Sequence, residues 1–339
     1  MEIRRTLILI ALAMTSYFLF LSWQRDYAPK EATVQAPAAN LAISENGAGG
    51  LPQATTASSA TAEGLPVAPV PAPATAALPA AVGSKGLVDI RTDVLDLQID
   101  PVGGDIVRVS LPAYTRTVTD KTPFVLLDRS PEHLYIAQSG LIRAGSAAGG
   151  LDDNPAGRPR YQADQSSYVM AADQKQLDVT LKTTTAEGLE VLKTFHFNRG
   201  DYRVKVSYDI RNHTAKPWSG VLFGQLKRDN AKDPSSENHS FGMVTFLGGA
   251  WWTEEKSYNK LALAKFGEKP VNEKVTGGWV AMVQHYFVSA WIPDSKSQNS
   301  ISTRDDNNGA EHNIGFTSTP VTVATGSNAQ VSADFYAGP

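Results

Sequence analysis

Histidine is the side chain whose ordinary pKa places a change of charge near neutral pH, so the histidines of this 339-residue chain come first. The chain has six of them: His133, His196, His213, His239, His285 and His312. No two stand at i and i+4, and none has a spacing from nearby carboxylates that indicates a metal site. We therefore expect no metal and no cofactor, and we assign no catalytic residue from the sequence.

Other motifs with known chemistry are equally sparse. Two Asp-Asp-Asn runs, at 152–154 and 305–307, resemble calcium loops but have neither the glycine nor the distal glutamate that such loops need. We expect both runs to be solvated turns. The chain has no G-x-S-x-G motif and no phosphate-binding loop, and the Gly-Gly pairs at 103–104 and 248–249 indicate turns or bulges. These observations predict a protein that is not an enzyme.

Charge and cysteine content exclude further classes. The chain carries 31 basic and 34 acidic residues, a net charge of −3, which gives no electrostatic case for binding nucleic acid. It has no cysteine, which removes disulfides, thiolate zinc sites, cysteine catalysis and a lipid-anchor cysteine.

Aromatic residues concentrate in the last third of the chain. They are Trp251, Trp252, Tyr258, Trp279, Tyr286, Phe287 and Trp291. A buried core is the expected role, with Trp279 and Trp291 both inside it, and a cleft for a sugar, a lipid tail or an unfolded peptide is the alternative. In residues 276–293, TGGWVAMVQHYFVSAWIP, the apolar run of fourteen residues is too short for a bilayer span and is interrupted by Gln284 and His285. The stretch predicts two inner strands, joined or bent at Gln284-His285 and ended by Pro293.

The chain divides into three regions of different composition, which contain the elements that would position these residues. Residues 1–27 contain an uncharged run, Leu7–Trp23, which predicts an uncleaved signal-anchor transmembrane helix. Arg4 and Arg5 precede it and favour a cytoplasmic N-terminus, with the rest exported. A cleaved signal peptide with its site at the ALA of 11–13, or a buried core helix, are the alternatives.

Residues 28–84 are rich in Ala and Pro and predict a disordered linker, stretched towards polyproline II in its Pro-Ala half. From Lys85 to the end at 339, more than a dozen runs alternate apolar and polar residues between turn signals. This pattern predicts an all-β domain, a large antiparallel sandwich. One short stretch, 253–266, has a weak helical spacing.

Several stretches resemble the N-terminal part of the Gram-negative YidC membrane protein insertase family. They are TDVLDLQIDPVGGDIVRVSLPAY (92–114), FVLLDRSPEHLYIAQSGL (124–141), FNRGDYRVKVSYDIRN (197–212), FGQLKR (223–228) and GGWVAMVQHYFVSAWIP (277–293). The order of anchor, low-complexity linker and large domain is similar as well. The resemblance implies that residues 85–339 are a periplasmic β-supersandwich, similar to galactose mutarotases.

The resemblance also implies a function in the bacterial inner membrane. The family inserts and helps fold inner-membrane proteins, alone or with the Sec translocon, through a later bundle of five transmembrane helices. We expect that bundle to be absent from the sequence as given, which ends at FYAGP. The expected partners are therefore the inner-membrane bilayer, Sec translocon components and nascent inner-membrane proteins, with no nucleic acid.

A carbohydrate-binding or mutarotase-like periplasmic protein is the alternative. Epimerase chemistry of that type needs a glutamate base and histidine acids that converge in one cleft. The nearest combinations in the sequence are His196 with Glu190 and His285 with Glu254, and their spacing does not support either pair.

Overall fold

The computed structural model of the chain describes residues 14, 17–18, 86–117, 119–145, 150–231 and 246–339. The predicted anchor, residues 1–27, and linker, residues 28–84, lie outside the described residues except at three positions. Both therefore stay predictions. Within the described residues, no helix is both long enough and apolar enough to cross a membrane.

From Gly86 onward the described regular structure is almost entirely β-strand. The strands are β1 Val88–Arg91, β2 Asp96–Asp100, β3 Asp105–Thr115, β4 Pro123–Arg129, β5 Leu134–Arg143, β6 Gln162–Ala163, β7 Ser167–Val169, β8 Gln176–Thr184, β9 Leu189–Asn198, β10 Arg203–Asn212, β11 Trp218–Asp229, β12 Gly248–Trp251, β13 Asn259–Ala262, β14 Asn272–Thr276, β15 Val280–Val283, β16 Val288–Pro293, β17 Gln298–Asp306, β18 Glu311–Thr317, β19 Val321–Val323 and β20 Asn328–Gly338. Two short 3-10 turns, Leu263–Lys265 and Asn307–Gly309, accompany them.

These strands form two sheets. The first has eleven strands, in the order β14-β17-β18-β11-β5-β4-β3-β2-β1-β7, with β19 also paired to β11. The second has nine, in the order β13-β12-β15-β16-β20-β10-β9-β8-β6. The pairings are antiparallel apart from β1 with β7. One large hydrophobic cluster takes side chains from both sheets, so the predicted all-β sandwich is confirmed.

The alternation of the sequence explains how the strands bury one face. In β10, Val204, Val206, Tyr208 and Ile210 are all fully buried, while Arg203 before them and Lys205 between the first two are exposed. Successive side chains of a strand point to opposite faces, so this period of two places every second residue in the core. Each fully buried apolar side chain of this size stabilises the fold by roughly 1.5–3 kcal/mol.

The stretch 276–293 forms a hairpin within the second sheet. Strands β15 and β16 pair with Val280 opposite Trp291 and Val283 opposite Val288. The backbone N–H of Gln284 donates to the carbonyl of Phe287 at 2.9 Å and closes the turn. The predicted pair of strands, their connection at Gln284-His285 and their end at Pro293 are confirmed.

The weak helical spacing in 253–266 was misleading. The segment forms a loop, then β13, then the 3-10 turn Leu263–Lys265. Backbone pairing of β13 with β12, from Gly248 opposite Ala262 to Trp251 opposite Asn259, replaces the hydrogen bonds that a helix would have made. Tertiary pairing therefore overrides a weak local preference.

Candidate functional site

The first acid–base combination, which the spacing in the sequence does not support, lies on the outer face of the second sheet and is not brought together. His196 and Glu190 are both on β9, six residues apart, which corresponds to roughly 20 Å along a strand. Glu190 instead forms ion pairs with Lys182, Arg211 and His213, the last two at 3.7 Å. The pKa of Glu190 is lowered, chiefly by the hydrogen bond that Lys182 donates to its carboxylate. A carboxylate held in this way is a surface ion pair and not a general base.

The second combination, His285 with Glu254, is separated as well. His285 lies in the turn after β15, with its ring 3.9 Å from that of Tyr286 and nearly perpendicular to it. Glu254 is exposed in the loop that follows β12, next to the start of β15, where the N–H of Trp252 donates to the carbonyl of Trp279 at 3.1 Å. The two residues therefore lie at opposite ends of β15. Neither pair supports the mutarotase-like alternative.

His196 takes part in a different arrangement that the sequence did not reveal. Its Nδ1 lies 2.8 Å from Asp178 on β8, and its Nε2 lies 2.8 Å from the hydroxyl of Ser207 on β10. This Asp–His–Ser order is the one that hydrolases use to activate a serine. Ser207 is only 4% exposed, however, and it lies between paired residues of β9 and β20, so the surrounding amides belong to the sheet ladder. The amides next to Ser207 are therefore not free to donate to an oxyanion. The Asp178–His196–Ser207 hydrogen bonds fix the orientation of His196 and support no reaction.

A polar cluster crosses the interior of the sandwich. Lys193 of β9 is fully buried, and its Nζ donates to the carbonyls of Gly103 at 3.1 Å and Ser139 at 3.0 Å, both from the first sheet or its turns. Arg158, from the loop between β5 and β6, donates to Asp152 at 2.8 Å and contacts Asp105. The cluster thus joins both sheets and one long loop through two basic and two acidic side chains.

Burial sets the protonation of this cluster. It lowers the pKa of Lys193 to about 7 and raises the pKa of Asp152. Burial alone would also lower the pKa of Arg158, but the charges of Asp105 and Asp152 outweigh it and raise that pKa. Removing one member of such a buried network leaves the others uncompensated and typically costs about 3–5 kcal/mol. The cluster is a structural link between the sheets, since Lys193 is closed to solvent.

The Asp-Asp-Asn runs do not form the solvated turns that we expected. Asp152 is 1% exposed and accepts the N–H of Leu141 at 2.8 Å in addition to binding Arg158. In the second run, Asp305 and Asp306 end β17, and Asp305 lies 2.7 Å from the buried His312. The carboxylates are taken up by partners within the fold. Among the described residues, no group of His, Asp and Glu side chains is arranged to hold a metal ion.

A groove of about 930 Å³ opens where three loops meet. They are the β5–β6 loop, the β8–β9 turn and the β10–β11 loop. The groove's polar and charged lining residues are Asn154, Arg160, Thr183, Thr184, Thr185, Glu187, Thr214 and Lys216, and Trp218 supplies an aromatic edge. The β5–β6 loop also carries Asp152 and Arg158, so the buried cluster fixes one wall of the groove. Its lining mixes polar, charged and aromatic side chains.

The aromatic residues of the last third divide into core and surface. Trp251, Phe287 and Trp291 are buried, and the Nε1 of Trp291 donates to the carbonyl of Gln225 at 3.1 Å. Trp279, which we expected in the core, is only half-buried. Tyr258 and Tyr286 are exposed by 47% and 59%. The core interpretation is therefore correct for part of this set only.

Fold and surface together define a class: a two-sheet β sandwich whose buried charges are structural and whose surface features suit binding. A family model described as YidC periplasmic domain matches residues 87–339. Membrane protein insertases YidC of Pseudomonas fluorescens, Stutzerimonas stutzeri and Azotobacter vinelandii are 43%, 42% and 40% identical across 100% of this chain. The chain belongs to the YidC family. It spans 59% of the length of these relatives.

Solved structures with a similar arrangement of strands include sugar-related proteins. The match to a galactose mutarotase-like protein from Lactobacillus casei includes 74% of this chain and 100% of that protein, with a TM-score of 0.49 and 11% identity. A galactose mutarotase related enzyme from Lactobacillus acidophilus covers 74% of this chain over 97% of its own, with a TM-score of 0.48 and 10% identity.

Proposed function

We propose that this chain is the periplasmic region of a membrane protein insertase and its membrane anchor. In this role it helps the insertion, folding and assembly of inner-membrane proteins, alone or with the Sec translocon. The observation that carries the proposal is the 40–43% identity along the whole chain to proteins named as membrane protein insertases. The domain's own contribution is binding, without catalysis, and its β-supersandwich follows the galactose-mutarotase type.

The proposed arrangement in the membrane follows from the first thirty residues. Leu7–Trp23 spans the bilayer as an uncleaved anchor, residues 1–6 face the cytoplasm, and residues 28–84 tether the domain of residues 85–339 in the periplasm. Because the chain has no cysteine, single substitutions report topology cleanly. We expect Thr33→Cys to react with a membrane-impermeant maleimide in intact spheroplasts, and Glu2→Cys to react only after lysis. Reaction of Glu2→Cys in intact spheroplasts, or a mature N-terminus near Met14, would contradict this arrangement.

We further propose that the domain docks Sec translocon components and passing substrate segments through the groove described above. Its walls are loops that rest on a rigid sandwich, and such loops are the usual place for recognition. The tether raises the effective concentration of membrane partners near the groove without any new contact.

Photo-crosslinking in the full-length insertase tests the docking proposal. A photoreactive amino acid at Thr185, on the groove, is compared with one at Lys205, on the outer face of the second sheet. We expect translocon subunits or nascent clients to crosslink at Thr185 and not at Lys205. Equal crosslinking at both positions, or none at Thr185 in an active insertase, would remove the groove from the proposal and leave family membership intact.

A further inference from the structure

Three aromatic residues form a partly exposed surface beside the start of β15, which we call the aromatic ledge: Trp252, Tyr258 and Trp279. Tyr258 is 47% exposed, and both tryptophans are half-buried. The ring centroids of Tyr258 and Trp279 are 6.1 Å apart. Trp252 is held next to Trp279 by the 3.1 Å hydrogen bond between their backbones. The ledge is thus a set of partly exposed rings, in which Tyr258 contacts Trp279 and Trp252 is also packed against the core.

Two further features fix the character of the ledge. Gly278 has a φ of +79°, and a Cβ built on it would lie 3.3 Å from Cε3 of Trp252, so the ring packs directly on the glycine backbone. The adjoining loop carries Glu254, Glu255 and Lys256, all exposed, with a net charge of −1. A surface of rings without a strong net charge fits an uncharged, apolar ligand.

Polyproline II is the peptide conformation that aromatic surfaces of this kind recognise. It has three residues per turn and no internal hydrogen bonds, and it loses little entropy on binding because proline is already constrained. Its prolines pack against aromatic rings.

The same chain carries a segment with this chemistry. Residues 66–73 read PVAPVPAP, with proline at 66, 69, 71 and 73 and no charge. The three-residue repeat of polyproline II places Pro66 and Pro69 on one side of the helix. We propose that the proline-rich segment 66–73 docks on the aromatic ledge of its own domain.

The length of chain between the two sites allows this contact. Residues 74–85, twelve in number, connect Pro73 to Gly86, where the domain begins. Extended, they reach about 40 Å. A domain of about this size has a radius of gyration near 18 Å, so its diameter is about 45 Å and the connection can follow much of its surface. A short connection also gives an effective concentration of about millimolar, so a weak contact is populated.

Docking would change the length of the tether. With residues 66–73 bound, the free part of the linker shrinks from residues 28–84 to residues 28–65. The domain would then be held closer to its attachment point, and release of the segment would let it reach further. The docking itself goes beyond the proposed function and does not depend on it, whereas its effect on the tether rests on the proposed membrane anchor.

Paramagnetic broadening in the full chain tests the contact. The chain has no cysteine, so Ala74→Cys carries a single nitroxide next to the proline segment. The chain has six tryptophans, whose indole N–H signals report on separate places after ¹⁵N labelling of tryptophan. We expect the signals of Trp252 and Trp279 to lose most of their intensity in detergent-solubilised full chain, while that of Trp218, at the start of β11 in the other sheet, is retained.

Matched variants separate docking from chance proximity. Replacing the four prolines of 66–73 by alanine should restore the Trp252 and Trp279 signals. Tyr258→Ala, an exposed position whose loss leaves the fold intact, should restore them too, whereas Tyr286→Ala, an exposed tyrosine at the other end of β15, should not. Broadening that survives the proline replacement, or its absence in the unmodified chain, would overturn the proposal. Broadening seen only when spin-labelled and ¹⁵N-labelled chains are mixed would make a second copy the occupant and would overturn it as well.

Discussion

Replacement of Trp291 by alanine is the perturbation whose size the structure defines best. The side chain is 1% exposed, lies between the sheets with its ring 5.2 Å from that of Phe335, and donates its indole N–H to the carbonyl of Gln225. Deletion of a buried Trp side chain costs about 3–5 kcal/mol. The lost hydrogen bond adds about 1 kcal/mol. We expect Trp291→Ala to lower the free energy of unfolding by about 5 kcal/mol.

Trp279→Ala provides a chemically identical comparison at a different burial. Trp279 is half-buried and shares its exposed side with Tyr258. Burial free energy scales with the apolar area removed from water, so we expect about 2 kcal/mol for this variant. Trp291→Phe retains most of the core volume and loses the indole donor, and it should cost about 1–2 kcal/mol.

Urea unfolding of the fragment 86–339, followed by tryptophan fluorescence and by circular dichroism, measures these differences. In thermal unfolding, a domain of this size loses about 2–4 °C of melting temperature for each kcal/mol of lost stability. The Trp291→Ala fragment should therefore melt about 10–20 °C below the parent fragment. If Trp279→Ala and Trp291→Ala unfold at the same midpoint, the difference in burial between the two sites is wrong. If neither midpoint moves, both rings are exposed and the packing described here fails.

Other outcomes follow from the same structure. The fragment 86–339 should be soluble without detergent and show a β-type circular dichroism spectrum with little helix, since the core cluster lies within it; a need for detergent would contradict this. Burial lowers the pKa of Lys193 to about 7, against an ordinary value of 10.5, so the unfolded chain binds the proton more tightly in that range. Stability should therefore rise as the pH goes from about 7 towards 10.5, and Lys193→Met should remove this slope in pH-dependent urea titrations. In the full-length insertase, client insertion should be unchanged by single alanine substitutions at four positions; loss of insertion in a folded, abundant variant would point to a chemical site there. These positions are Glu190, His196, Glu254 and His285.

Much of the fold could be predicted because its strands bury one face. The alternation in β10 is so regular that its core residues can be identified from the sequence. The bend at Gln284-His285 separates two strands, β15 and β16, whose apolar residues are buried on both faces. The helical prediction for segment 253–266 was wrong because β13 has only four residues. That length is too short for an alternation with a period of two to stand out against a helical spacing. Its pairing with β12 is a tertiary contact.

The buried cluster had a signal in the sequence that was overlooked. Lys193 has the same parity in β9 as Val191, Phe195 and Phe197, so the alternation itself places this lysine on the buried face. Its partners could not be predicted in the same way. Arg158 comes from a loop 35 positions earlier, and the carbonyls of Gly103 and Ser139 carry no side-chain signature at all. Contacts across the sandwich depend on the relative placement of two sheets, which strand periodicity does not determine.

The strands at the borders of both sheets are short. The first sheet ends in β14, of five residues, and β7, of three; the second ends in β13, of four, and β6, of two. A long unpaired border would template the addition of foreign strands and lead to aggregation. The five-residue β14, interrupted by Glu273 and Lys274, gives little room for that, whereas β6 covers only Leu181 and Lys182 of the nine-residue β8. At these border strands the fold itself limits extension by foreign extended chains.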